Sequence, residues 1–455
     1  MKKIIIILLV IIIPISLFLI FNNKDNNSNI ITSSINSFKE YFNIGNLTEN
    51  KNEQFASYNK IVNEYFDFIT PAGFTKIYEF NDINSSSILN FTAPDGNLIV
   101  YNNIIYGVAI SGGFINSGTI FRINPDGSDF TKLHEFNGDD GAYPYGKLVV
   151  HNNTLYGMTV FGGKYGKGTI FKINPDGSGF AKLHDFNSIN GSNPWGSLIV
   201  HNGALYGLTP SGGKNIYNEK IGDGCGTMFK INPDGTGFTK LYDFNDANHG
   251  GYVPYQSLVE YNNVFYGITK RGGDNYAGTI FRINLDGSGF AHIYNFDKFY
   301  VYNSVYDFNE FYPAYASNLF LYKNNLYGVI NVIGIYDKDI IFKINPDGTG
   351  FTKLYNLSDQ GLCLIEHDDV FYGITISNKK ENQNQEERKY YGSIFKINPD
   401  GTGFTKLYNF YNDSDINISN VVDFIGGLAG HNNALYGVIK DDEVSITSMM
   451  FSFGL

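Results

Sequence analysis

From residue 73 onward the chain is built of short runs of alternating apolar and polar residues, each cut by a turn rich in glycine or asparagine. Runs of this length and period predict strands, not helices. Residues 197–244 are typical. Ser197 to His201 predicts a first strand and Leu205 to Thr209 a second, joined by Asn202-Gly203. Gly226 to Asn232 predicts a third and Phe238 to Phe244 a fourth, joined by Pro233-Asp234-Gly235-Thr236-Gly237. Asn-Gly and Asp-Gly tolerate the positive φ that tight hairpins need, so both joins read as antiparallel turns.

This unit recurs. Tyr-Gly stands at Tyr106-Gly107, Tyr156-Gly157, Tyr206-Gly207, Tyr266-Gly267, Tyr327-Gly328, Tyr372-Gly373 and Tyr436-Gly437, which makes seven units. In step with it, an aliphatic residue or Met precedes Phe121, Phe171, Phe229, Phe281, Phe342, Phe395 and Phe451. Five of the first six then continue as Asn-Pro-Asp-Gly, with Asn284-Leu285-Asp286-Gly287 as the variant. Four antiparallel strands at a spacing of about 50 residues match a propeller period, whereas solenoids repeat at about 20 to 35. A lone four-stranded sheet leaves two apolar faces in water, and radial stacking buries both. The expected fold is all-β, a seven-bladed β-propeller of four-stranded blades over residues 71–455.

The two ends of that segment complement each other. Gly73-Phe74-Thr75-Lys76-Ile77-Tyr78-Glu79-Phe80 reads as a fourth strand with no first three ahead of it, and the seventh unit reaches Leu455 after its third strand, Ser448 to Phe453. Pairing them would close the ring with an N-terminal outer strand and remove two exposed edges.

At Pro194-Trp195-Gly196, Leu205-Tyr206-Gly207-Leu208-Thr209, Gly212-Gly213 and Gly226-Thr227-Met228-Phe229-Lys230 the sequence resembles the GloVer tandem-repeat proteins of bacteria. The resemblance spans about residues 73 to 455, is strong in repeats one to four, and weakens in five to seven, where the Gly-Gly loop is lost. It implies an exported or anchored propeller and carries over no catalytic residue. The Asp-Gly hairpin is also similar to that of TolB-type propellers, which bears on fold and not on chemistry.

Composition adjusts this picture at the N-terminus and in the choice of partner. Lys2 and Lys3 precede an apolar stretch from Ile4 to Phe21, broken by Pro14 and Ser16. A helix rising about 1.5 Å per residue just crosses a ~30 Å hydrocarbon core at that length, and the basic start holds its own end cytoplasmic. Residues 1–21 therefore read as a signal anchor or a signal peptide. No small-residue cleavage pattern follows Phe21, which favours the uncleaved anchor. Residues 22–70 read as a polar tether, with Glu53 to Phe68 compatible with a short helix. The propeller is expected at the cell membrane on the extracytoplasmic side, or secreted if the signal is cleaved. A net charge of −11 argues against nucleic acid as a partner. Cys225 and Cys363 fall at non-equivalent positions and read as buried thiols, not as a disulfide framework.

Candidate chemistry divides between the two ends of the blades. At the tight-hairpin end, His151, His201 and His431 occupy equivalent positions one blade apart, too far for one metal, and the Asp-Gly turns carry a single carboxylate each. Both read as structural. At the other end, the lead-ins to the first strands carry Tyr145, Trp195, Tyr255 and Tyr315, an aromatic set expected around the channel mouth. The loops between second and third strands add Lys164, Tyr165, Lys214, Arg271, Asp274 and Tyr276. Aromatic faces stack on sugars or on apolar peptide anchors, and they also plug seams between blades. The charged stretch Lys379 to Lys389 reads as a solvated loop.

No nucleophile with a base, no metal motif and no phosphate loop stands in the sequence. No cofactor and no metal are expected. The reading is a monomeric, non-enzymatic binding or display propeller that engages a glycan or a protein. The alternatives are a glycoside hydrolase or lyase at the channel mouth, which needs two converging carboxylates, and a purely structural surface protein.

Overall fold

The computed structural model describes residues 73–80, 98–110, 112–113, 115–214, 216–218, 223–245, 251–296, 299–303, 308–312, 315–331, 339–379, 389–410, 421–423, 427–441 and 447–455. The expected signal segment 1–21, the tether 22–70 and the helix within it lie outside these residues.

Seven antiparallel sheets follow one another along the chain. Blade 1 spans 99–135, blade 2 spans 142–185, blade 3 spans 199–243 and blade 4 spans 252–295. Blade 5 spans 315–356, blade 6 spans 360–410, and blade 7 takes 421–454 together with Phe74–Phe80. In blade 3 the four strands are Ile199–His201, Ala204–Thr209, Thr227–Ile231 and Thr239–Asp243. In blades 5 and 6 the first strand has eight residues, whereas in blades 1 to 4 and 7 the strands paired at the tight hairpin have only three, fewer than the sequence pattern suggests. Their lead-in residues leave the ladder and bond to the neighbouring blade, as where the Ser197 amide donates to Ser257 Oγ at 2.8 Å.

The repeated residues are explained by the sheets they build. Each tight hairpin places its turn pair in the left-handed region, as at Asn202 (φ 48°) and Gly203 (φ 73°), the conformation two-residue hairpins require. In every blade the glycine of Tyr-Gly lies across from the repeated phenylalanine: Gly107 opposite Phe121, Gly207 opposite Phe229, Gly328 opposite Phe342, Gly437 opposite Phe451. The ring lies over the space a side chain would need, for a Cβ on Gly157 would come 2.4 Å from Phe171 Cζ.

Packing runs across seams between blades. An aromatic ring on each outer strand stacks on the phenylalanine that follows the next blade's Asp-Gly turn: His134 on Phe180 at 3.5 Å, His184 on Phe238 at 3.7 Å, Tyr242 on Phe290 at 4.8 Å. Tyr294 meets Phe351 and Tyr355 meets Phe404 in the same way. The N-terminal strand fills the same role on both of its sides. Phe74 stacks on Tyr408 of blade 6 at 4.5 Å, and Tyr78 stacks on Phe130 of blade 1 at 4.7 Å. Its pairing with Thr447–Gly454 shifts register between Lys76 and Tyr78, the place where the other third and fourth strands shift, as between Lys182 and His184. Such bulges bend an outer strand and raise its twist.

Three features depart from the sequence expectation. A hairpin of Phe299–Asn303 and Phe308–Tyr312 stands between blades 4 and 5, and a second, Ile216–Asn218 with Asp223–Gly224, lies within blade 3. The stretch from Lys379 to Lys389 does not leave the sheet at the usual strand end. Its flanks extend the blade-6 hairpin until Lys379 faces Lys389, and residues 380–388 lie outside the described set.

Candidate functional site

The loops between second and third strands and the connections between blades share one end of the sheets, and their hydrogen bonds tie them together. The Gly163 amide donates to Gly138 O, and the Gly213 amide to Ser188 O. Beneath these loops, threonine pairs join the second and third strands, Thr159 to Thr169 at 2.9 Å and Thr209 to Thr227 at 2.8 Å. Each pair also supports the connection above it, since Thr169 Oγ1 donates to Asp140 O.

The connections into blades 2, 3 and 4 turn through a residue in the left-handed region followed by proline: Tyr143 (φ 57°), Asn193 (φ 55°) and Val253 (φ 57°). Their amides donate to Ser117, Lys167 and Cys225 carbonyls of the preceding blade. For a tyrosine, and more so for β-branched Val253, this conformation is unfavourable, and the surrounding bonds hold it.

Immediately after those prolines come Tyr145, Trp195 and Tyr255, all half-buried. The structure brings these three together in a row across blades 2, 3 and 4. Tyr145 meets Trp195 edge to face at 4.9 Å between centroids, and Trp195 lies over Tyr255 at 6.1 Å. Lys270 Nζ stands 5.4 Å from the Tyr255 centroid. Burial, with repulsion from Arg271, pushes its pKa down. The backbones beneath the row are in close contact, for a Cβ on Gly146 would meet Gly196 O at 2.2 Å.

The backbone of Tyr315 stands in a different register from those of Tyr145, Trp195 and Tyr255. Its backbone pairs with Asn331, four residues past Tyr327, whereas Pro254, just ahead of Tyr255, pairs with Thr269, three past Tyr266. Tyr315 thus stands two register steps earlier than Tyr255, and its side chain lies outside the described set. The remaining candidates sit each in its own blade's loop. The Lys164 amide donates to Asp185 Oδ1 at 2.7 Å while its Nζ lies 5.1 Å from the Tyr165 centroid. The Lys214 amide donates to Asp243 Oδ1, Asp274 accepts from Asn295 Nδ2, and Tyr276 is exposed in the left-handed region. Arg271 ends the second strand of blade 4 beside Lys270.

One feature escaped the sequence reading. Tyr143 and Phe161 form an exposed edge-to-face pair at 5.8 Å, and, with Ile115, Tyr165, Ile189 and Tyr276, they place every exposed large apolar side chain of the described set except Leu455 at this end.

At the opposite end His151 and His201 each face the asparagine of their own hairpin, and His201 also meets Phe265 of blade 4. His431 Nε2 lies 2.7 Å from Asn103 Oδ1 and His367 Nε2 lies 2.6 Å from Asn432 O, each reaching the next blade's hairpin. Tyr101 and Tyr322 do the same toward Asn153 and Asp369. The Asp-Gly carboxylates are engaged within their own turns. Asp176 accepts from the Ser178 hydroxyl and amide, which holds its pKa below the ordinary carboxylate value. Among the described residues no three His, Cys, Asp or Glu side chains gather as a metal site. Both cysteines are buried, and burial pushes the Cys363 thiol up to about 11.

Seven four-stranded sheets with equivalent seams define the protein as a β-propeller. More specifically, residues 93–311 match the model of the Gloeobacter/Verrucomicrobia repeat. No curated protein matches the chain. Among solved structures it is similar to puromycin hydrolase at 9% identity and a TM-score of 0.49, covering 76% of this chain and 50% of that one. An oligogalacturonate lyase in complex with manganese is 8% identical with a TM-score of 0.47, over 85% of this chain and 98% of that one. An ulvan lyase, a polysaccharide lyase, is 11% identical with a TM-score of 0.48, over 80% and 94%. The chain spans about half the length of the puromycin hydrolase it matches.

Proposed function

We propose that this is a non-enzymatic binding propeller whose loop-bearing end engages a glycan. The carrying observation is the half-buried row Tyr145, Trp195 and Tyr255, spread over three blades in one line. Three rings in a row present aromatic area at a cost of few rotamers, which suits a saccharide chain better than a single deep pocket would. The exposed apolar residues around it make the same end the adhesive one. A glycoside hydrolase would need two carboxylates at one cleft. The buried carboxylates nearest this end, Asp339 and Asp359, are engaged with the Gly361 amide and with Lys406.

The proposal extends to the setting of the domain. Residues 1–21 hold the chain at the membrane or direct its export, 22–70 form a tether, and the propeller is a monomer outside the cytoplasm whose ring is closed by Phe74–Phe80.

The test is a glycan array with the full-length protein and with Trp195→Ala. At least tenfold weaker binding to whichever glycan is captured is expected, about 1.4 kcal/mol. Unchanged binding by the variant removes the row from the site.

A further inference from the structure

Each ring of the aromatic row has a diagonal neighbour on the second strand of its own blade. The lead-ins pair Pro144 with Thr159, Ser192 with Ser211 and Pro254 with Thr269. That register sets Tyr145 diagonal to Val160, Trp195 to Pro210 and Tyr255 to Lys270, a separation that aromatic and long side chains span. Val160 and Pro210 are buried and apolar. Lys270 breaks the pattern. Its Nζ lies 5.4 Å from the Tyr255 centroid, its side chain is half-buried, and the Tyr255 amide donates to Ile268 O, two residues before it. Arg271 follows at the strand end. An aliphatic residue would fill this seat without desolvating a charge, and the two preceding blades show that the repeat accepts one. A cation kept where the repeat favours an apolar residue marks a functional position more than a structural one.

We infer that the row is polarised in charge: Tyr145 and Trp195 take neutral pyranose faces, and Tyr255 with Lys270 forms a terminal subsite for a uronic acid, its ring on the tyrosine and its carboxylate on the ammonium. The inference rests on the reading of this end as glycan-binding and adds the class and the direction of the glycan. The negative face of the tyrosine ring attracts the ammonium and so holds it beside the stacking surface. Burial and repulsion from Arg271 both lower the Lys270 pKa, and an arriving carboxylate offsets both. The net charge of −11 repels polyanions in general, so the attraction for an acidic residue is local to this end of the row.

The test measures binding of the full-length protein to size-defined galacturonan oligosaccharides, to their carboxyl-reduced counterparts and to polyglutamate, with Lys270→Val, Lys270→Arg and Trp195→Ala beside the wild type. The acidic oligosaccharide should bind about tenfold tighter than the reduced one, and that ratio should not grow with chain length, since one subsite is charged. Lys270→Val, which installs the residue of blade 2, should abolish the preference at a melting temperature no lower than that of the wild type. Lys270→Arg should keep it, and Trp195→Ala should weaken both sugars. Equal binding of acidic and reduced sugars, a preference that survives Lys270→Val or fails in Lys270→Arg, or one that multiplies with each added residue overturns the inference and leaves the glycan reading standing. No binding of either sugar overturns the inference too, and capture of polyglutamate in their place overturns both readings.

Discussion

Single positions in the seams show how one residue type is exchanged for another without changing the geometry. The ring stacked on the next blade is tyrosine in blades 3, 4 and 5 but histidine in blades 1 and 2. His184 lies flat on Phe238, and its Nε2 lies 3.0 Å from Asn190 Nδ2. Burial pushes its pKa to about 4, against the pull of Asp185. The unfolded chain titrates near the ordinary value of about 6.5, so between those values the unfolded state binds more protons and stability falls as pH drops. Burial acts on His134 in the same direction. His184→Tyr should keep the stack and flatten this slope. Because the ring is only half-buried the effect is discounted to about 1 kcal/mol, or on the order of 2 °C in melting temperature at pH 4.5. A melt series from pH 7 to 4.5 checks it, and a slope equal to that of the wild type would refute it.

At the scale of the element, the connection between blades depends on one glycine and one proline. Gly118, Gly168 and Gly226 leave room for the next blade's Pro144, Pro194 and Pro254, whose Cδ atoms would lie 2.5, 2.9 and 2.6 Å from an added Cβ. Blade 5 has Asp339 in the glycine's place, and Gly361 pairs with Thr375 as Pro254 pairs with Thr269. A proline has no N–H, whereas Gly361 does, and Asp339 Oδ2 accepts it at 2.7 Å while also accepting from Asn331. The buried carboxylate therefore compensates a lost proline. Asp339→Gly should destabilise by about 2 kcal/mol through the orphaned amide, and Gly361→Pro added to it should recover part of the loss, as chemical denaturation would read. An additive or worse double variant would contradict the exchange.

Much of this level was legible. The hairpins follow from their Asn-Gly and Asp-Gly turns, and the Tyr-Gly and phenylalanine markers register across from each other because a glycine is needed under the ring. Of the candidate site, Tyr145, Trp195 and Tyr255 could be read from Pro-aromatic lead-ins. Tyr315 differs in register because it stands twelve residues ahead of Tyr327, where Tyr255 stands eleven ahead of Tyr266, with a bulge between Ala316 and Asn318. The hairpin Phe299–Tyr312 was missed although its residues alternate as FYVYN and FNEFY, since it lies outside the repeat that organised the reading.

For the whole molecule, the N-terminal strand is the decisive element. Phe74 and Phe80 are buried at 5% and 2% exposure on opposite flanks of blade 7, Phe74 with blade-6 residues and Phe80 with blade-1 residues. Each contributes about 2–3 kcal/mol by burial alone. A chain beginning at Asn81 should lose cooperative melting or aggregate through the exposed edge of Thr447–Gly454, while one beginning at Asn50 should melt as the full-length protein does. Equal melting of the two would show that the pairing is dispensable. Seven seams of one design hold the blades, and they free the loops at the other end to vary.

The claim that those loops and the row beneath them are the working surface is tested most directly by hydrogen exchange of the full-length protein with and without a captured saccharide. Added protection is predicted in residues 142–147, 193–197 and 252–257, with none at the tight hairpins 152–153, 202–203 and 432–433. Protection centred on those hairpins, with the aromatic row unchanged, would contradict the account.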